Sequence, residues 1–402
     1  MHKVNSLHSV NAASYSEDIA KSTESIASTR APERSVPRPS KRGYIQTLDG
    51  WRTIAVFSVI FYHAHAITIG PVDLRKFQDF GDRGVQLFFA ISGILICSRL
   101  LEERHMHGRI SLAGFYIRRV FRIQPAAVAF LAVIGILAAF GAIHPTWPAS
   151  LSALFCFRNF YAAAHRVASP DDRYTVHFWS LAVEEHFYLA LPALLIFGRK
   201  KIIPLLTALT ILFFIWEPLA HHLRLYQPEL SDWRTDMSLR NLLFPALLAV
   251  LLTRPSFRSF VTKISSYNTL IVLTIVAIFI SQIRLGGHLT GAIVCIGFPF
   301  MVLSTMLHPN DWLGRLLESF PFVFLGRISY SIYLWQELFF IRTAGHSALR
   351  FLQSAPLNLI ATLVCAIASY YVIEKPLMRL GHRLAPPATP GRQDLATSSL
   401  RS

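Results

Sequence analysis

Between residues 44 and 380 the chain alternates long apolar runs with short polar breaks. A helix needs roughly 20 residues to cross a hydrocarbon core about 30 Å thick, and the runs have that length. Four of them, 123–143, 264–283, 289–307 and 356–373, carry no charged residue. Four more are interrupted by ionisable groups: 51–69 by Arg52, His63 and His65, 84–101 by Arg99, 178–197 by Glu184, Glu185 and His186, and 320–341 by Arg327 and Glu337. Two shorter runs, 202–216 and 238–252, complete the series. The pattern predicts an all-α, polytopic membrane bundle of about ten transmembrane helices.

The flanks are of another kind. Residues 1–43 are rich in Ser, Ala, Thr and charge, without the apolar segment of a signal peptide, and predict a disordered tail. The transmembrane domain is expected over 44–380 and a second short disordered tail over 381–402. No repeat of fixed period is visible.

Composition supports the membrane reading: 53% of the 402 residues are hydrophobic and 15% charged, too few charges for a soluble domain. The formal charge of +16 would elsewhere suggest nucleic acid. Here an even number of spans places both termini on one side, and roughly two thirds of the Lys and Arg fall on that side, so both termini are expected in the cytoplasm. The charge is then mainly a topology signal, and no nucleic-acid partner is expected. Cys97, Cys156, Cys295 and Cys365 lie in apolar stretches without metal-ligand spacing, so no metal site is expected.

Ionisable residues inside spans are expensive and point to function. Arg52 and His63 are eleven residues apart, three helical turns plus roughly 20°, and so share a face with His63 roughly 17 Å further in. Glu184 is expected roughly 9 Å below the outer boundary and His63 some 13 Å below it, close enough for a carboxylate to orient an imidazole base. Glu185 adjoins it. Arg118, Arg119 and Arg122 stand within about one turn, and three planar guanidinium forks suit phosphate oxygens. Against these stand plainer readings: juxtamembrane arginines can simply set topology or hold lipid headgroups, and His65 can be a packing residue. Trp179, Tyr188, Tyr330, Tyr333 and Trp335 can be interfacial aromatics, and Glu374 an ion-pair partner of Lys375 or Arg379. Gly84, Ser92 and Gly93 can serve close helix packing.

Six segments occur in a set order: LDGWRTIAVFSVIFYH (48–63), GVQLFFAISGILI (84–96), RRVFRIQP (118–125), HFWSLAVEEHFYLALP (177–192), LGRISYSIYLW (325–335) and YYVIEKP (370–376). Together they resemble the acyltransferase 3 family of multipass membrane O-acyltransferases. The resemblance implies an enzyme of the bacterial cytoplasmic (inner) membrane that moves an acyl group, acetyl foremost, from acyl-CoA to a hydroxyl of a carbohydrate or glycolipid. It implies no permanently bound cofactor. His63 would be the general base or acyl carrier, Arg52 would bind donor phosphate or polarise the site, Glu184 or Glu185 would orient His63 or the acceptor, and Arg118, Arg119 and Arg122 would hold the CoA phosphates. Gln86 stands where the family usually has Asp, His186 where Gln is common, and Gln336 where His often follows Tyr-Leu-Trp, so neither Gln86 nor Gln336 is assigned acid-base work. A proton-coupled transporter or flippase is the alternative, since such relays also use intramembrane His, Glu and Arg.

Overall fold

The structure is a computed structural model, and it describes residues 44–64, 68–69, 72–73, 78–165, 169–226, 233–265, 269–284, 287–341 and 347–386. The two expected tails therefore lie almost wholly outside the described residues, as does His65. The fold is helical apart from one two-residue ribbon. Helix α1 (Gln46–His63) leads through β1 (Thr68–Ile69) and its antiparallel partner β2 (Val72–Asp73) to α2 (Gln78–His107) and α3 (Leu112–Ala139). Two short helices, α4 (Trp147–Leu154) and α5 (Arg158–His165), and a 3-10 turn (Pro170–Thr175) precede α6 (Phe178–Gly198) and α7 (Ile202–His222). There follow α8 (Thr235–Ser238), α9 (Arg240–Leu251), α10 (Pro255–Ile264), α11 (Thr269–Arg284) and α12 (Gly287–Leu307). The chain ends in α13 (Trp312–Leu317), α14 (Phe320–Arg327), α15 (Ser329–Phe340), α16 (Ser347–Arg350), α17 (Leu357–Ser369), a π turn (Tyr370–Glu374) and α18 (Lys375–Leu384).

Each apolar run coincides with a helix or a helix pair. Among the described residues five helical stretches are long and apolar enough to cross a membrane, six if α9 and α10, bent by 112°, count as one span. One of the five, Pro170–His222, contains both α6 and α7. Prolines 125, 192, 218, 245 and 299 sit inside helices, which neighbouring helices permit in a membrane protein. Large apolar side chains such as Phe197, Ile211, Ile215, Leu273 and Val364 stay exposed, an outer surface suited to hydrocarbon rather than water. The chain is an integral membrane protein.

Three boundaries differ from the expected ones. The first run was expected to continue to residue 69, but α1 stops at His63, which puts that imidazole at a helix end rather than inside a span. The run 320–341 divides at Ile328 into α14 and α15, so Arg327 and Glu337 belong to different helices. The last helix continues to Leu384, past residue 381 where the polar tail was expected.

Helix α2 is the centre of the bundle: 61% of its apolar window is buried, against 28% for α3, which leaves one side of α3 for lipid. Gly84 lets α2 approach α1 closely, since a Cβ there would meet the Ala55 carbonyl oxygen at 2.5 Å. At the other end of α1, Trp51 donates to Thr305 Oγ1 (2.8 Å) and Thr53 to the Phe322 carbonyl (2.6 Å), tying it to α12 and α14. Gly326 of α14 touches the Asp49 backbone so closely that a Cβ would stand 1.9 Å from its carbonyl oxygen. Gly326→Ala must therefore separate α14 from α1. A loss of about 1–3 kcal/mol is expected, read as a lower melting temperature in detergent, and an unchanged melting temperature would refute the contact.

Candidate active site

His63 is the last residue of α1, where a helix C-terminus favours a positive charge. Its Nδ1 lies 3.0 Å from the Val59 carbonyl oxygen. A carbonyl only accepts, so Nδ1 carries the proton and Nε2 is the basic nitrogen of the neutral ring. Nε2 faces Glu337 of α15, with Oε2 at 3.8 Å and the carboxylate 2% exposed. His177, immediately before α6, stands on the other side of that carboxylate, its Nδ1 4.0 Å from Oε1.

Three turns back along α1, the Arg52 guanidinium is held by Asp49 Oδ1 at 2.6 Å, and Arg327 lies 3.9 Å from the other oxygen of Asp49. Arg52 acts electrostatically on Arg122 of α3 and on Glu184 of α6. Arg122 is half-buried, and its hydrogen-bond partner among the described residues is the Met378 sulfur, at 3.8 Å. Arg119, one turn earlier, lies over the rings of Tyr188 (5.1 Å) and Phe115 (5.8 Å), without a hydrogen-bond acceptor among the described residues. Arg118 is different: it bonds Glu103 Oε2 at 3.2 Å. The cluster at this end of the bundle is thus Arg52, Arg119 and Arg122, with Arg118 held aside.

The carboxylates of α6 have their own partners. Glu184 accepts from Ser92 of α2 (2.7 Å) and from Tyr188 one turn on (3.1 Å). It and Glu185 lie within electrostatic reach of Arg119. Glu184 is therefore joined to Arg52 and the arginines of α3, while the carboxylate against His63 is Glu337. His186 bonds Thr235 at 2.7 Å and stacks on Phe160.

Several residues with plain expectations have interior roles. Tyr188 is buried between Glu184 and Arg119, and Tyr333, expected at an interface, bonds the His177 carbonyl (3.1 Å) and Ser180 (2.6 Å). Tyr330 donates to the Ile123 carbonyl at 2.8 Å. Glu374 was expected to pair with Lys375 or Arg379. Instead it ends the π turn, accepts from Ser331 and Ser369, and acts on Arg122, while Lys375 lies over Tyr371. The i, i+4 spacing of Glu184 and Tyr188 was a readable signal for one of these contacts. For Glu337 and His177 no local spacing exists, because the contact joins two distant helices.

An imidazole at the end of α1, a buried carboxylate beside it and a group of arginines three turns back are set within a bundle of apolar helices, which defines the class as a multipass membrane protein. The family whose description is Acyltransferase domain matches residues 45–375, and the chain belongs to this acyltransferase 3 family. It is 29% identical over 373 residues to a protein of Staphylococcus aureus (strain COL) to which O-acetyltransferase activity is ascribed, covering 85% of this chain and 58% of that one. It is 28% identical over 374 residues to the peptidoglycan O-acetyltransferase OatA of Listeria monocytogenes, covering 85% of this chain and 57% of the relative. The chain thus spans a little under three fifths of the length of these relatives. No solved structure matches it.

Proposed function

We propose that this protein transfers an acyl group, acetyl foremost, from acyl-CoA to a hydroxyl of a carbohydrate-containing acceptor. The observation that carries the reading is His63, whose Nδ1 is committed to Val59 so that Nε2 is the base. It stands roughly 17 Å along α1 from the cluster Arg52, Arg119 and Arg122, a spacing suited to a long donor with phosphates at one end and a thioester at the other. In this reading Nε2 takes the acceptor's hydroxyl proton as the oxygen attacks the thioester carbonyl, the carbon–sulfur bond breaks, and the proton passes to the leaving thiolate. The arginines hold the donor's phosphates, and Glu184, tied to Ser92 and Tyr188, balances charge beside Arg119. About ten spans, cytoplasmic termini and a bacterial inner membrane complete the reading, which lets the donor enter from the cytoplasm. The O-acetyltransferase relatives support acetyl as the group and a surface glycan as the acceptor.

The test is incubation of purified protein in detergent with labelled acetyl-CoA and surface glycans. Label on the glycan with release of free CoA is expected. Movement of glycan across a reconstituted bilayer with the thioester intact would overturn the reading in favour of transport.

A further inference from the structure

Three ionisable side chains from three parts of the fold meet at Glu337. The carboxylate is buried in α15, and Gln336 donates to its Oε2 at 2.8 Å. His63 Nε2 approaches that same oxygen at 3.8 Å, and His177 Nδ1 approaches Oε1 at 4.0 Å. His177 is 3% exposed, and among the described residues neither of its ring nitrogens has a hydrogen-bond partner. Its ring is wedged by Phe130, Phe178 and Tyr333, and Tyr333 also bonds its backbone carbonyl. The surroundings thus fix the His177 ring beside the carboxylate.

The gap to His63 is informative because of the tautomer. With the proton on Nδ1, the neutral ring turns a lone pair toward the carboxylate, and two acceptors do not attract. At 3.8 Å the two acceptors do not bond each other, and a hydroxyl that donates its one proton to Nε2 would stand beside the carboxylate. Once Nε2 takes a proton, the same geometry sets an imidazolium against a buried carboxylate. The attraction therefore grows as the reaction proceeds, and an interaction stronger in the transition state than in the ground state accelerates the chemical step.

We propose that Glu337 is the charge partner of His63, favouring the imidazolium formed when the acceptor's O–H bond breaks and the proton moves to Nε2. The inference rests on the reading of His63 as general base. The bonds balance as in any alcoholysis of a thioester: O–H and C–S break, the ester C–O forms, and the proton borne by Nε2 leaves with the thiolate. Glu337 neither gains nor loses an atom. It is a positioning residue that acts through His63.

The test compares Glu337→Gln, Glu337→Asp and His63→Ala in steady-state transfer from acetyl-CoA. Gln keeps the shape and the contact with Gln336 but removes the charge. Its kcat is expected to fall about 10- to 100-fold with both KM values within about twofold, while Asp recovers part of the lost rate. In an H63A background E337Q should cost nothing further, since the two act as a unit. A wild-type kcat in E337Q, or a loss confined to KM, overturns the inference. If E337Q is not recovered as folded, monodisperse protein, E337D alone decides: a several-fold lower kcat at constant KM is expected, and an unchanged kcat overturns it. Failure of this inference shows as an inactive H63A beside a fully active E337Q, whereas failure of the underlying reading shows as an active H63A.

Discussion

His63→Ala is expected to lower kcat for acyl transfer about 10³- to 10⁴-fold while leaving donor affinity nearly intact. General base catalysis contributes up to about 10⁴-fold, and among the described residues no other imidazole is placed to substitute. His177 is walled in by Phe130, Phe178 and Tyr333 on the far side of Glu337, and His186 is bonded to Thr235. The substitution should also be mild for folding. His63 ends its helix, is 21% exposed, and bonds the carbonyl of its own preceding turn. A retained melting temperature with lost turnover is therefore expected. The decisive measurement is a single-turnover assay with labelled acetyl-CoA, scored for ester and free CoA together. Turnover at the wild-type rate would remove His63 from the chemistry.

The contrast between His63 and its partners shows what the chain discloses locally. Arg52 and His63 could be paired from the sequence because eleven steps on one helix bring two side chains to the same face, and α1 covers both residues. The apolar runs likewise mark helices, since hydrocarbon tolerates little else. Glu337 could not be assigned in that way. The apolar run that contains it, whose only charged residues are Arg327 and Glu337, reads as one span, yet the backbone turns at Ile328, and the turn separates Glu337 from Arg327 and sends it toward α1. Tyr188 and Tyr333 failed for a related reason: a tyrosine in a membrane sequence fits the interfacial belt equally well, and only the distant partners, Arg119 for one and His177 for the other, identify it as interior. Glu184 was recognisable as a buried carboxylate, but its partner was not, because Ser92 looked like a small packing residue.

The arginines carry the other large expectation. Arg119→Ala with Arg122→Ala should raise the KM for acetyl-CoA about 10²- to 10³-fold and leave kcat at saturating donor within a few-fold. Each guanidinium–phosphate contact is charge-assisted and worth about 1.5–3 kcal/mol, roughly a factor of 10 to 100. The structural warrant is that these two guanidinium groups have no oxygen acceptor among the described residues: Arg119 faces aromatic rings, and Arg122 a thioether. Arg52 and Arg122 repel one another, as do Arg122 and Arg119. The nearby carboxylates soften that repulsion, but the hydrogen bonds that Glu184 and Glu374 accept come from serine and tyrosine hydroxyls. A polyanion would relieve what those groups leave. Arg118→Ala is the internal control, because Arg118 is already engaged by Glu103 and should change donor KM less than about threefold. If all three arginines served only topology or lipid headgroups, R118A and the double variant would lower membrane insertion alike and the inserted protein would keep its donor KM. If they bind the donor, insertion stays level, the two variants part in KM alone, and added salt raises the wild-type KM toward that of the double variant.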